Sequence, residues 1–249
     1  MMLERHFIEN LKNTMNNCEY LFCFTYAGGT TGFFDPLNQT LEDRVKLIKF
    51  EYAGHGKRYK ERMYDSFDSL SDDLFSQLKE IVYKEKIQKY SLLGYSMGSI
   101  SVVEILKRIL TDDSVPVPTH VFLAAHAPLT TEIELEQCNN DEYIKHRTIQ
   151  FGGVPKELLE NKSFWRMYLP LYKADYKIIA KYRFEDLKLQ CDIPTTIFYS
   201  ETDTPYEDMV KWTHYFRGIC NFVEYKGTHF FINEHYEEMA NVIVTELEQ

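Results

Sequence analysis

The chain has 249 residues, 44% of them hydrophobic and 27% charged, with a formal net charge of −10. That length and balance suit one globular α/β domain and exclude a disordered or low-complexity chain. The acidic balance argues against nucleic acid as a partner, and five cysteines, odd in number and without CxxC spacing, argue against a disulfide framework or a zinc site.

The opening residues, Met1 to Asn17, mix Glu, Arg, Lys and Asn and hold no apolar core, so no secretory signal is expected there. No apolar run reaches the length of a bilayer span, which excludes a membrane anchor of that kind. Reduced thiols in the cytoplasm are the expected state. Leu3, Phe7 and Leu11 fall four apart and predict a short amphipathic helix.

The first strand is predicted at Tyr20 to Phe24, feeding a turn at Ala27-Gly28-Gly29. A second is expected at Val45 to Tyr52, closed by Ala53-Gly54-His55-Gly56. Leu70, Leu74, Leu78 and Ile81 share one face of a predicted helix over 70–83. Tyr90 to Leu93 reads as a third strand, running into Gly94-Tyr95-Ser96-Met97-Gly98 and then into a helix with Ile100, Val103, Leu106 and Leu110 at helical spacing. Three more strands are predicted at His120 to Ala125, Thr195 to Ser200 and Asn221 to Tyr225, followed by a C-terminal helix from about Asn233 to Leu247. Strands alternating with helices imply a mostly parallel sheet covered on both faces. The stretch from about 130 to 189 has no convincing strand and a helical fragment from Leu169 to Tyr182, so it reads as a helical insertion within a single domain spanning 1–249.

Gly94, Ser96 and Gly98 form G-x-S-x-G between a strand and a helix. That context predicts a nucleophile elbow, a strained turn that lifts a serine hydroxyl above the sheet of an α/β-hydrolase fold. A serine needs a base, and in this fold acid and histidine follow it in that order. His126, His146, His214, His229 and His235 lie after Ser96. His214 and His235 are expected within helices, whereas His229 sits on the loop before the last helix and is the candidate base. Asp203, just past the strand at Thr195 to Ser200, is the candidate acid, with Glu201 and Asp208 as alternatives and Asp208 expected on the next helix, facing elsewhere. The backbone N–H groups of Met97 and Ala27 are the candidate oxyanion hole.

Several segments together resemble the type II thioesterases that accompany nonribosomal peptide and polyketide synthases. The family shows F-x-[YF]-A-G-G, here Phe24 to Gly29; a P-G-R-G-x-R-like loop, here Ala53 to Arg58; G-H-S-M-G, here with Tyr95 for the histidine; L-P-x-x-[RK]-A-D, here Leu169 to Asp175; and G-x-H-F-F, here Gly227 to Phe231. The resemblance covers about residue 19 to the end, and the Leu169 to Asp175 segment is its most discriminating piece because general esterases lack it. Two departures stand out: Tyr95 replaces a residue that moves no proton, and Ala53 and His55 replace Pro and Arg. The resemblance implies hydrolysis of acyl, aminoacyl or peptidyl groups held on the phosphopantetheine arm of a carrier domain, for editing or release, by a monomeric enzyme without cofactor or metal. It also implies a lid over approximately 130–189, with Tyr26, Tyr95, Leu169, Pro170, Ala174 and Ile178 beside the substrate.

Lys173, Lys177 and Lys181 are spaced four apart, which aligns them on one helix face. They are either a solvated face or a basic stripe that steers an acidic carrier domain. Ala174, Ile178 and Tyr182 are expected on another face, toward the acyl chamber. Two other functions remain open from sequence: an esterase or acyl-CoA thioesterase on small soluble substrates, and a catalytically silent hydrolase-fold binding module.

Overall fold

The computed structural model describes residues 19–41, 44–130 and 133–248; the helix expected around Leu3 to Leu11 lies outside them. Six strands form one sheet: β1 (Glu19–Phe24), β2 (Val45–Phe50), β3 (Tyr90–Tyr95), β4 (Val121–Ala124), β5 (Thr195–Tyr199) and β6 (Cys220–Glu224). Their order is β2-β1-β3-β4-β5-β6, and every neighbouring pair is parallel. All carboxyl ends therefore share one edge. The chain direction across the sheet reverses at β1, which has β2 on one side and β3 on the other, and such switch points leave a crevice above the strand ends.

The inner strands are largely buried on both faces because helices cover both. Side chains alternate: Phe22 and Phe24 enter one core with α2 (Phe67–Glu85) and α3 (Met97–Ile109), while Leu21 and Cys23 enter the other with α1 (Asp35–Leu41) and α7 (Tyr236–Leu247). Ser66 caps α2, its hydroxyl accepting the Ser69 N–H at 3.1 Å. Leu70, Leu74 and Leu78 are fully buried on that helix, as their spacing predicted.

Between β4 and β5 the described chain is helical, with α4 (Asp141–Gln150) and α5 (Lys162–Lys181) packed on each other. Asn140 and Asn161 cap them, each side-chain carbonyl accepting two backbone N–H groups of the first turn. The sequence predicts α5 only from Leu169. Asn161 starts it two turns earlier, and Pro170 is accommodated inside it, where it removes one backbone donor. Cys23, Cys138, Cys191 and Cys220 are free thiols. Among the described residues, no helix is long and apolar enough to cross a membrane.

Candidate active site

β3 ends at Tyr95 and α3 begins at Met97, so the whole change of direction falls on Ser96, at φ 55° and ψ −117°. This is an unfavourable conformation for a residue with a Cβ and costs about 1–3 kcal/mol. The two glycines make the turn possible by close approach. A Cβ on Gly94 would lie 2.3 Å from the Gly98 carbonyl oxygen, and one on Gly98 would lie 2.0 Å from that of Phe24. The Ser96 N–H donates to Ala124 O on β4 at 2.8 Å, and Ser99 Oγ lies 3.0 Å from Gly94 O, so the elbow is tied to the sheet on both sides.

His229 stands on the loop after β6, and its Nε2 is 2.9 Å from Ser96 Oγ. Its Nδ1 is 3.0 Å from each oxygen of Asp203, on the loop after β5. Both side chains are largely shielded, at 12% and 7% exposure for His229 and Asp203. The two loops are fastened together, since Ser200 and Thr202 both donate to Gly227 O, the latter at 2.6 Å. From below, Tyr95 OH donates to His229 O at 2.7 Å. A carboxylate on Nδ1 fixes the tautomer that leaves Nε2 free to accept the serine proton.

The competing residues sort by position. Glu201 is exposed and caps Tyr206 N–H at 3.1 Å. Asp208 does lie on a short helix, α6 (Tyr206–Met209), but contrary to expectation it lines the cavity above Ser96, with its carboxylate 2.6 Å from Lys211 Nζ. His146 and His214 are exposed, and His235 precedes α7 and contacts Lys226 O at 3.0 Å. His126 also lines the cavity. Burial lowers its pKa to about 4, outweighing the contact of its Nδ1 with Ala127 O at 2.6 Å, which favours the protonated form, so it is neutral there.

Above the three residues is a cavity of about 280 Å³, walled by Tyr26, Ala27, Leu129, Ile133, Arg147, Phe151, Tyr172, Tyr176, Ile179 and Phe230. It is predominantly apolar and aromatic, which suits an acyl chain. Among the described residues, the backbone N–H groups of Ala27 and Met97 find no protein acceptor, and Ala27 and Ser96 share the cavity wall. Gly28, next to Ala27, has φ +75°, and a Cβ there would lie 2.2 Å from Tyr172 Cε1.

Several expected substrate contacts fall elsewhere. Tyr95 is fully buried beneath His229 and does not reach the cavity. The cavity face of α5 carries Tyr172, Tyr176 and Ile179. Leu169, Pro170 and Ala174 line a separate groove of about 620 Å³ on the opposite face of α5, together with Lys173, Lys177 and Lys181. Ile178 is buried in the core, and Tyr182 OH donates to Glu104 Oε1 at 2.8 Å against α3. The lysines do share one face; Lys173 pairs with Asp141 at 2.7 Å, and Lys181 donates to Asp65 O at 2.9 Å. The sequence did not single out Arg147, Phe151 or Tyr172. Tyr172, Tyr176 and Ile179 follow the i, i+4, i+7 spacing of a helix face and were detectable, whereas Arg147 lies in a charged run with no signal of its own.

The chain has relatives among known proteins. The chain is 27% identical over 217 residues to the medium-chain S-acyl fatty acid synthase thioesterase of Rattus norvegicus, covering 85% of this chain and 81% of that one. It is 25% identical over 230 residues to a probable cadicidin biosynthesis thioesterase of Streptomyces griseus, covering 91% of this chain and 62%, under two thirds, of that one. A thioesterase from the prodiginine biosynthetic pathway of Streptomyces coelicolor, RedJ, superposes with a TM-score of 0.80 at 24% identity, over 92% of this chain and 85% of its own, and shares the fold. The model of the thioesterase domain family matches residues 19–247, and the chain belongs to that family, a hydrolase of thioesters.

Proposed function

We propose that this chain is a type II thioesterase of nonribosomal peptide or polyketide biosynthesis, hydrolysing acyl groups from the phosphopantetheine arm of carrier domains. The observation that carries the mechanism is the continuous contact from Ser96 Oγ through His229 to both oxygens of Asp203. His229 Nε2 takes the Ser96 proton as Oγ attacks the thioester carbonyl carbon. The developing oxyanion is held by the N–H groups of Ala27 and Met97. On collapse the C–S bond breaks, and the imidazolium returns its proton to the departing thiolate. A water then attacks the acyl-serine, His229 again taking and returning one proton, and the free acid leaves with Ser96 restored. Asp203 stabilises the imidazolium and stays ionised. Each proton transfer in this sequence runs through His229, and the oxyanion is held by backbone N–H groups.

The carrier substrate is supported by the Leu169 to Asp175 segment and by the biosynthetic setting named for the Streptomyces relatives. On this reading α4 and α5 form a lid within one domain, covering the acyl cavity, and the lysine face of α5 is turned toward the partner. The test compares kcat/KM on an acylated carrier domain, the matching acyl-CoA and a simple ester. A preference for the carrier is expected. Equal rates on carrier and acyl-CoA would leave a general thioesterase, and a preference for the ester would leave a carboxylesterase.

A further inference from the structure

Arg147 projects from α4 into the wall of the acyl cavity. Its guanidinium carbon lies 5.0 Å from the Phe151 ring centroid and 5.7 Å from that of Tyr176, both cavity residues. Its Nε is shut off from solvent and has no hydrogen-bond partner. No carboxylate among the described residues pairs with it. The two acids that share the cavity are engaged elsewhere, Asp203 with His229 at 3.0 Å and Asp208 with Lys211 at 2.6 Å. Stacking on two rings stabilises a cation in part, yet a shielded donor left unpaired still lacks what water would have supplied. A guanidinium is also the side chain best shaped to grip a carboxylate, through two parallel N–H donors.

We propose that Arg147 is the recognition site for a carboxylate carried at the far end of the acyl group, so that the enzyme takes ω-carboxyacyl thioesters. This rests on the thioesterase reading and narrows its substrate class. Position supports it. The Phe151 ring centroid is 5.0 Å from the guanidinium carbon and 4.7 Å from the imidazole centroid of His229. The guanidinium is therefore no more than about 10 Å from the imidazole, on the same cavity as Ser96, within reach of a short acyl chain. The phosphate of a pantetheine arm is an anion too, but it sits at the other end of a long arm from the reacting carbonyl, too far for a group this near His229.

The probes are N-acetylcysteamine thioesters of glutarate and of its neutral mono-amide, which lack any phosphate. Wild-type enzyme should favour the glutaryl thioester in kcat/KM at least about tenfold. Arg147→Gln should lower that selectivity ratio about 10- to 100-fold, as expected for a charge-assisted contact, and Arg147→Lys should retain most of it. A ratio near one in wild type, or one that Arg147→Gln leaves unaltered, overturns the proposal while the thioesterase reading stands. If neither thioester is cleaved, release from an acylated carrier domain tests the thioesterase reading separately, and thermal unfolding with free glutarate or its mono-amide decides the site. Stabilisation by glutarate alone, lost in Arg147→Gln, sustains it; no difference between the two compounds overturns it.

Discussion

Asp175 on α5 accepts the backbone N–H of Gly28 at 2.6 Å, across 147 positions of sequence. The same oxygen is 3.0 Å from His55 Nε2, and both side chains are almost wholly buried. His55 Nδ1 in turn contacts Ala53 O at 3.1 Å. A single carboxylate thus joins the helix that walls the acyl cavity, the loop after β2 and the loop that holds Ala27. Replacing it with Ala should leave two buried donors without an acceptor. Breaking a buried pair in this way costs about 3 kcal/mol, so Asp175→Ala should lower stability by about that much in urea unfolding. It should lower kcat more than it raises KM, because the loop carrying Ala27 loosens. A loss under about 1 kcal/mol would mean that the tie is slack.

The His55 side of this junction predicts a pH dependence of stability. Burial pulls its pKa down, but the charge and hydrogen bond of Asp175, aided by Ala53 O and Glu51, outweigh that and raise it above 6.5. The folded state then holds the proton more tightly than the unfolded chain. Its stabilisation is complete below pH 6.5 and is lost as pH climbs through the raised folded value. The melting temperature should fall across that window, and His55→Gln should flatten the fall. An unaltered slope in His55→Gln would place its origin elsewhere.

Gly28 is fixed twice, by its left-handed backbone and by the Tyr172 ring. Gly28→Ala should cost about 2–4 kcal/mol from backbone strain and overpacking together. It should also reduce kcat/KM more than tenfold by moving Ala27. Melting temperature and steady-state kinetics check the two parts separately, and full activity in a destabilised protein would remove Ala27 from the oxyanion hole.

The lysine face of α5 tests the partner. Replacing Lys173, Lys177 and Lys181 with Glu should raise the apparent KM for an acylated carrier about tenfold at low salt, with the gap closing as salt rises. It should leave an uncharged N-acetylcysteamine thioester nearly unaffected, since these residues lie across α5 from the cavity. Equal slowing of both substrates would assign the lysines to helix packing, and no slowing of either would leave them a solvated surface.

Much of this was legible in the sequence because the relevant signals are local. Apolar runs marked all six strands, four of them leading into glycine and the other two bounded by Pro128 and Pro194, and Gly94 and Gly98 marked the elbow. Asp203 and His229 followed from chain order and loop position. What was not legible depended on orientation. Spacing put Lys173, Lys177 and Lys181 on one face of α5, but not which face met the cavity. The inward face proved to be Tyr172, Tyr176 and Ile179 rather than Ala174 and Ile178. The first two turns of that helix, before Leu169, were not read as helix, and its start is set by the Asn161 cap. Tyr95 occupies a motif position beside the nucleophile, yet strand alternation turns its side chain into the core, under His229.

Ser96→Ala tests the central claim most directly. The substitution removes the hydroxyl 2.9 Å from His229 Nε2 and leaves the elbow in place. Release of the acyl group from a loaded carrier domain, followed by intact-protein mass, should fall by at least about 10⁴-fold, with the melting temperature held. Retention of even about a tenth of wild-type release, equivalent to about 1.4 kcal/mol, by a folded Ser96→Ala protein would contradict Ser96 as the nucleophile.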